Sequence, residues 1–154
     1  MIKSVINQQI ADALKAHDEL RLTTLRMLSS ALNYEFIAKQ HELSEDEEIA
    51  LVRKEVKKRN DTVESYKAVL DKDPARVQEK IDKELSEIAI LKEYLPPEMD
   101  EVKLQEIVDG VVKETGATGI KDMGRVNGAG KAKVGVAADG SRIADMVKKA
   151  LNIG

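Results

Sequence analysis

The chain is organised around one stretch, Tyr94-Leu95-Pro96-Pro97-Glu98-Met99-Asp100. Each proline lacks a backbone N–H and pushes the preceding residue out of the α region, so a helix cannot run through the pair. All nine glycines follow the two prolines, between Gly110 and Gly154. The sequence therefore predicts long helices before the prolines and shorter elements with more turns after them. We place a domain boundary here, with an N-terminal helical domain at residues 1–95 and a C-terminal domain at residues 96–154.

Before the boundary, apolar residues recur at helical spacing in four segments. The first helix is predicted over residues 2–16, and a second helix follows a break near residues 17 and 18 and runs to about residue 39. Ser44-Glu45-Asp46-Glu47 has the form of a capping box and begins a third helix, which is expected to end near residue 70. Asp73-Pro74 supplies an N-cap and a first-turn proline for a fourth. The third and fourth helices are long and closely joined, which predicts an antiparallel hairpin. The residues expected to face inward include Val5, Leu14 and Leu85.

After the boundary, Asp100 is predicted to cap a fifth helix that stops near Gly116. A short sixth helix is predicted over residues 120–126, and Asp139-Gly140-Ser141 begins a final one. Between them, Gly128-Ala129-Gly130-Lys131 is interpreted as a flexible turn. No β-type alternation of useful length appears anywhere, so the predicted fold class is all-α.

Composition excludes several classes of protein. With no cysteine, disulfides, thiol catalysis and cysteine metal sites are impossible. No apolar run approaches the roughly 18 residues of a membrane-spanning helix. The chain opens on a polar amphipathic pattern, unlike a signal peptide. A cytoplasmic location is therefore expected, and neither a membrane nor DNA is an expected partner.

Motifs for catalysis and cofactor binding are missing. A Walker phosphate loop needs Ser or Thr after its lysine, but Ala132 follows Lys131. His17 and His41 lie near predicted helix ends without a second metal ligand at helical spacing, so exposed positions are favoured over metal binding. No nucleophile, base and orienting group can be assembled from the sequence. No catalytic residue, metal site or cofactor is therefore assigned, and the chain is not expected to catalyse a reaction alone.

The net charge is −3, but positive charge is locally concentrated. On the third helix three lysines share a face and could contact phosphates, although a solvated, ion-paired face is favoured on charge alone. In the C-terminal segment basic residues lie among glycines, where short turns let the backbone approach a phosphate. For that group, phosphate binding and plain surface are equally supported. The candidate nucleic-acid contacts are Lys54, Lys57 and Lys58 on the helix, and Lys121, Arg125, Lys131 and Lys133 in the C-terminal segment.

Five short segments, taken in order, carry a family resemblance that covers nearly the whole chain. They are Leu25-Arg26-Met27-Leu28-Ser29-Ser30-Ala31, Lys57-Lys58-Arg59-Asn60-Asp61-Thr62, Glu93-Tyr94-Leu95-Pro96-Pro97, Lys121-Asp122-Met123-Gly124-Arg125-Val126 and Ala138-Asp139-Gly140-Ser141. Together they resemble the YqeY family, stand-alone relatives of the C-terminal tail of the B subunit of aminoacyl-tRNA amidotransferase (GatB). The chain departs from the family in the glycine-rich segment 127–133, where each extra glycine is expected to weaken a helix by up to about 1 kcal/mol.

The resemblance implies a helical N-terminal domain followed by a small three-helix tail domain. It also implies a connection to tRNA, because related tails help to hold tRNA in the amidotransferase and in some glutaminyl-tRNA synthetases. The implied partners are therefore tRNA and components of these enzymes. Such proteins are commonly labelled carbon–nitrogen ligases with glutamine as amido-N-donor, a label that we attribute to the larger enzyme. We expect a tRNA-associated binding module. The alternatives are a ligase that acts only within a complex and a helical adaptor that docks on another protein.

Overall fold

The computed structural model describes residues 1–152, and over those residues the chain is helical without a strand, which confirms the all-α prediction. Positions 153 and 154 of the predicted C-terminal domain lie outside the described residues. No helix within the described range is both long and apolar enough to cross a membrane. The α-helices are α1 Ile2–Lys15, α2 Glu19–Lys39, α3 Glu45–Lys67, α4 Pro74–Lys92, α5 Glu101–Thr115, α6 Met123–Val134 and α7 Gly140–Ala150, with 3₁₀ turns at Leu70–Lys72, Ile120–Asp122 and Gly135–Ala137.

By their internal contacts the residues form two compact units, Met1–Leu95 and Pro96–Gly154. In the first unit α3 and α4 pack side by side. Arg59 of α3 bonds Glu87 of α4, and Tyr66, later in α3, contacts Lys80, earlier in α4. The two helices therefore run antiparallel, as predicted. α1 and α2 complete the unit by packing apolar side chains onto this hairpin. The fully buried residues of the unit include Ile6 of α1, Leu25, Leu28 and Leu32 of α2, and Val52 and Leu91 of the hairpin.

The predicted helix starts are confirmed by their hydrogen bonds. Ser44 and Glu47 form both halves of the capping box, with the Ser44 N–H donating to the Glu47 carboxylate at 2.8 Å. Lys39 also bonds that carboxylate, and the two donors lower the pKa of Glu47 to about 2. Asp73 accepts from Arg76 N and precedes Pro74, and Asp100 accepts from Val102 N at 2.8 Å. Local signals thus define where these helices begin.

Three side chains expected to face inward are exposed instead. Val5, Leu14 and Leu85 keep 44%, 52% and 46% of their surface in contact with solvent. On α1 the buried stripe follows Ile2, Ile6 and Ala13, which leaves the other two residues at its edges. On α4 the buried face is displaced toward Glu87, a charged residue that an apolar pattern cannot predict. The third helix is also shorter than expected, because Leu70 lies in a separate 3₁₀ turn.

The second unit contains three α-helices, α5 to α7, and its fully buried side chains include Leu104, Val108, Val126, Ile143 and Val147. The prediction of a short helix over residues 120–126 and a flexible turn at residues 128–131 is wrong, because α6 runs through the glycines to Val134. Packing stabilises this helix: Val126, Gly130 and Val134 are buried at four-residue spacing. A Cβ on Gly130 would stand 3.1 Å from Cγ2 of Ile143, so the glycine permits a close approach of α7.

Two alanine substitutions in α6 should therefore differ in effect. Gly128 is exposed and a Cβ there would meet nothing within 4 Å, so Gly128→Ala should raise the free energy of unfolding by about 0.5–1 kcal/mol, the usual gain in a helix interior. Gly130→Ala should gain less or lose stability, since Ile143 must move to admit the methyl group. Urea unfolding measures both variants. Equal stabilisation by the two would contradict the packing role of Gly130.

Candidate nucleic-acid interface

Lys54, Lys57 and Lys58 are exposed on one face of α3, at the three- and four-residue spacing of neighbours on a helix. Lys58 is engaged, since its Nζ lies 2.6 Å from Oε1 of Glu55. Within residues 1–152, Lys54 and Lys57 have no acidic partner. Two of the three predicted contacts on α3 thus present an uncompensated charge to solvent.

Arg59, which follows these lysines directly, is buried and does not belong to the exposed face. Its Nε donates to Glu87 at 2.8 Å and its Nη1 donates to Glu55 at 3.2 Å. Burial alone would raise the pKa of Glu55, but hydrogen bonds from Lys58 and Arg59 hold it below its usual value. Burial, together with the charge of Glu87, raises the pKa of nearby Glu84. Arg59 is therefore part of the ion-paired interior of the first unit.

In the second unit, Arg125 and Lys133 are exposed but both are engaged with the C-terminal end of α5. Arg125 Nη2 donates to the Thr115 carbonyl at 3.1 Å and to Asp122 at 2.9 Å. Lys133 Nζ contacts both carboxylate oxygens of Glu114, at 2.7 and 2.8 Å. These contacts hold α6 against α5. They also neutralise part of the charge that the sequence assigns to a phosphate-binding patch.

Lys131 lies on a different side of α6. Its Cε is 3.0 Å from the position that a Cβ would occupy on Gly140, so its side chain lies over the first residue of α7. Lys121 is exposed on the 3₁₀ turn that precedes α6. Neither lysine has an acidic partner in the described part of the chain. The four predicted residues of this unit therefore divide into a paired set facing α5 and an unpaired set, Lys121 and Lys131.

Residues 3–151 match the family model described as Yqey-like protein, which covers nearly the entire chain. The chain belongs to the YqeY family. A comparison with curated proteins finds no significant match.

The segments that carry the YqeY resemblance make internal contacts within the unit to which each belongs. Arg59 Nη2 lies 3.9 Å from Sδ of Met27, which joins the second segment to the first. In the third segment Glu93 accepts two bonds from Arg21, at 2.7 and 3.1 Å, and the Tyr94 hydroxyl donates to Gln9. In the fifth, Asp139 caps α7. These YqeY residues make contacts within each unit, and the unpaired lysines take no part in those contacts.

Lys148 and Lys149 are exposed basic residues that the sequence pattern did not single out. They occupy the last turn of α7 and, among residues 1–152, have no acidic partner. Their position suits the negative end of the helix dipole, which is a sufficient reason for lysine there. The excess of Lys and Arg after residue 120 is the feature of the sequence that could have indicated these two lysines.

Within the described residues no cluster of three or more His, Asp or Glu could hold a metal ion.

Proposed function

We propose that this chain is a tRNA-associated binding module that acts through contacts to the phosphate backbone. The observation that carries the proposal is the pair Lys54 and Lys57, adjacent on an exposed helical face and without acidic partners in the described chain. Membership of the YqeY family supports a role connected with tRNA. In the second unit, Lys121 and Lys131 offer the same chemistry.

Binding of this kind should be electrostatic and indifferent to base identity. Each lysine that neutralises a phosphate releases condensed counterions, so the logarithm of affinity falls linearly with the logarithm of salt concentration. Contacts to phosphate position a nucleic acid but do not read its sequence. We therefore expect tRNAs of different sequence to bind alike, with the tightest binding at low salt.

The test compares two pairs of lysines with a matched control. Lys54→Gln/Lys57→Gln and Lys121→Gln/Lys131→Gln remove unpaired charges, whereas Lys58→Gln/Lys133→Gln removes two paired charges. Affinity for two different tRNA transcripts is measured by fluorescence anisotropy over a range of salt concentrations. The slope of log affinity against log salt should flatten by roughly one unit for each lysine–phosphate pair that a variant removes, equally for both tRNAs. The control pair should change the slope less.

Three outcomes are informative. Absence of tRNA affinity in the native protein at low salt would refute the proposal and favour the adaptor alternative. A slope changed only by the α3 pair would confine the contact to the first unit. Equal effects of the control pair and the unpaired lysines would mean that local ion pairing does not decide which lysines contact phosphate.

A further inference from the structure

The outward face of α2 has an unusual composition for a solvent-exposed helix. Ten residues of α2 are exposed, and three of them are charged: Glu19 and Lys39 at the two ends of the helix, and Arg26 between them. On α3, by contrast, eight of the eleven exposed residues are charged. Protein interfaces are enriched in Tyr, Met and Arg and depleted in Lys, Glu, Asp, Ser and Ala, so Arg26, Met27 and Tyr34 are the residues of this face that favour an interface. Between positions 23 and 38 the exposed residues are Thr23, Arg26, Met27, Ser30, Asn33, Tyr34, Ile37 and Ala38.

Within this face the residues repeat with coiled-coil spacing. Alternating steps of three and four residues connect six positions, which we call the outer stripe: Leu20, Thr23, Met27, Ser30, Tyr34 and Ile37. Met27, Tyr34 and Ile37 expose 49%, 75% and 70% of their surface. The opposite side of α2 carries Leu25 and Leu28, which are buried in the first unit. α2 thus has two faces suited to packing, and the protein covers one of them.

We propose that the outer stripe binds a second copy of this chain through antiparallel pairing of α2 with α2. In an antiparallel coiled coil, a residue at one of the two alternating core positions faces a residue at the other core position of the partner helix. Applied to the outer stripe, this rule defines three pairs of facing residues. Leu20 would face the partner's Ile37, Thr23 the partner's Tyr34, and Met27 the partner's Ser30. Each of the last two pairs combines a large side chain with a small one, as dense packing requires. A parallel pair would instead oppose tyrosine to tyrosine and serine to serine.

A cavity beside the stripe fits this register. It has a volume of about 470 Å³ and is lined by Thr23, Arg26, Met27, Ser30 and Glu55. In this register Thr23 faces the partner's Tyr34. The ring of that tyrosine would therefore enter the cavity that Thr23 lines. Buried tyrosine hydroxyls usually need a hydrogen-bond partner, and the Glu55 carboxylate in the cavity wall can accept one.

The charge of this face is compatible with a second copy, and its length sets the expected strength of the association. In the antiparallel register Arg26 would lie beside the partner's Asn33, so the pairing brings no like charges into contact. A single cation on the whole face would give RNA little phosphate affinity. The outer stripe is about 26 Å long at 1.5 Å per residue. A contact of one helix pair at that length buries less than about 1,200 Å², which is typical of weak, reversible association.

The first experiment is sedimentation equilibrium of the full chain over protein concentrations from about 10 μM to about 1 mM, a range that covers weak association. The native protein should show a reversible monomer–dimer equilibrium. Tyr34→Lys should weaken dimerisation at least tenfold without changing the circular dichroism spectrum, because Tyr34 is exposed in the monomer. Ala50→Lys, which adds the same charge at an exposed position of α3, is the matched control and should dimerise like the native chain.

The second experiment tests the register, and the absence of native cysteine means that only the introduced thiols can react. The single variants Met27→Cys and Ser30→Cys are mixed, oxidised and examined by mass spectrometry. The antiparallel register predicts that disulfides joining the two different variants exceed disulfides joining two copies of the same variant. An excess of the latter would overturn the antiparallel pairing. A native chain that stays monomeric at the highest concentration would overturn the proposal, and loss of tRNA binding in Tyr34→Lys would then assign the face to RNA.

Discussion

Replacing Arg59 with methionine is expected to lower the free energy of unfolding by about 3–5 kcal/mol, the usual cost of breaking a buried ion pair from one side. Only 6% of Arg59 and 6% of Glu87 are exposed, and the guanidinium is 2.8 Å from the Glu87 carboxylate. Without the arginine, Glu87 remains buried without its counterion. Urea unfolding followed by circular dichroism provides the measurement.

The double variant Arg59→Met/Glu87→Met decides whether the loss is electrostatic. Replacing both partners of a buried pair with apolar residues is often close to neutral, so the double variant should recover most of the stability that the single variant loses. Lys67→Met breaks an ion pair with Glu64 that is exposed on both sides and should cost less than about 1 kcal/mol. If the double variant is no more stable than Arg59→Met, the arginine contributes mainly through packing.

The pH dependence of the single variant should also differ from that of the native chain. In the native protein the pKa of Glu55 lies below its ordinary value, partly through Arg59. A carboxyl group with a lowered pKa in the folded state stabilises the fold above its unfolded pKa, and that contribution is lost as the pH falls. The stability difference between native protein and Arg59→Met should therefore narrow below about pH 4.5.

The second large effect is expected at Glu48, where alanine should lower the free energy of unfolding by about 2–4 kcal/mol. Glu48 is fully buried on α3, and its carboxylate accepts the backbone N–H groups of Ile2 and of Lys3, the latter at 3.0 Å. These are first-turn donors of α1, which has no side-chain cap of its own. The substitution leaves both donors buried or partly buried without an acceptor.

Two further variants separate the cap from general charge effects. Glu45→Ala removes an exposed carboxylate from the first turn of the same helix and should cost less than about 1 kcal/mol. Glu48→Gln keeps one acceptor oxygen but loses the charge, and its stability should fall between those of the native chain and Glu48→Ala. A loss at Glu48→Ala no greater than at Glu45→Ala would show that the α1 donors find other acceptors.

The helix starts could be predicted because their causes are local. Ser44 and Glu47 lie three residues apart, and Asp73 precedes Pro74 directly, so the sequence contains every group involved. The buried charges are different. Glu48 bonds residues 46 and 45 positions away, and Arg59 bonds a residue 28 positions away. Nothing in the local pattern distinguishes these residues from solvated neighbours such as Glu45 or Lys57.

Contacts between residues that are distant in the sequence also explain why only part of the candidate interface could be predicted. The common face of Lys54, Lys57 and Lys58 follows from helical spacing alone. The spacing does not show that Glu114, 19 residues earlier, bonds Lys133, or that Lys131 lies over Gly140. The glycines of α6 gave a misleading signal because Ile143 and its neighbours supply packing energy that local propensity does not include.

The bond between Tyr94 and Gln9 has a consequence for how the chain is made. α1 is synthesised before the groups that it contacts, because the acceptor that caps it lies at position 48 and the hydroxyl that bonds Gln9 lies at position 94. At about 5–20 residues per second, synthesis of the intervening residues takes several seconds. During that time α1 can pack against α2 and then gain its cap from Glu48, but the bond between Gln9 and Tyr94 is still missing. The complete set of native contacts of the first unit becomes available only when the chain has been translated to Leu95, directly before the two prolines.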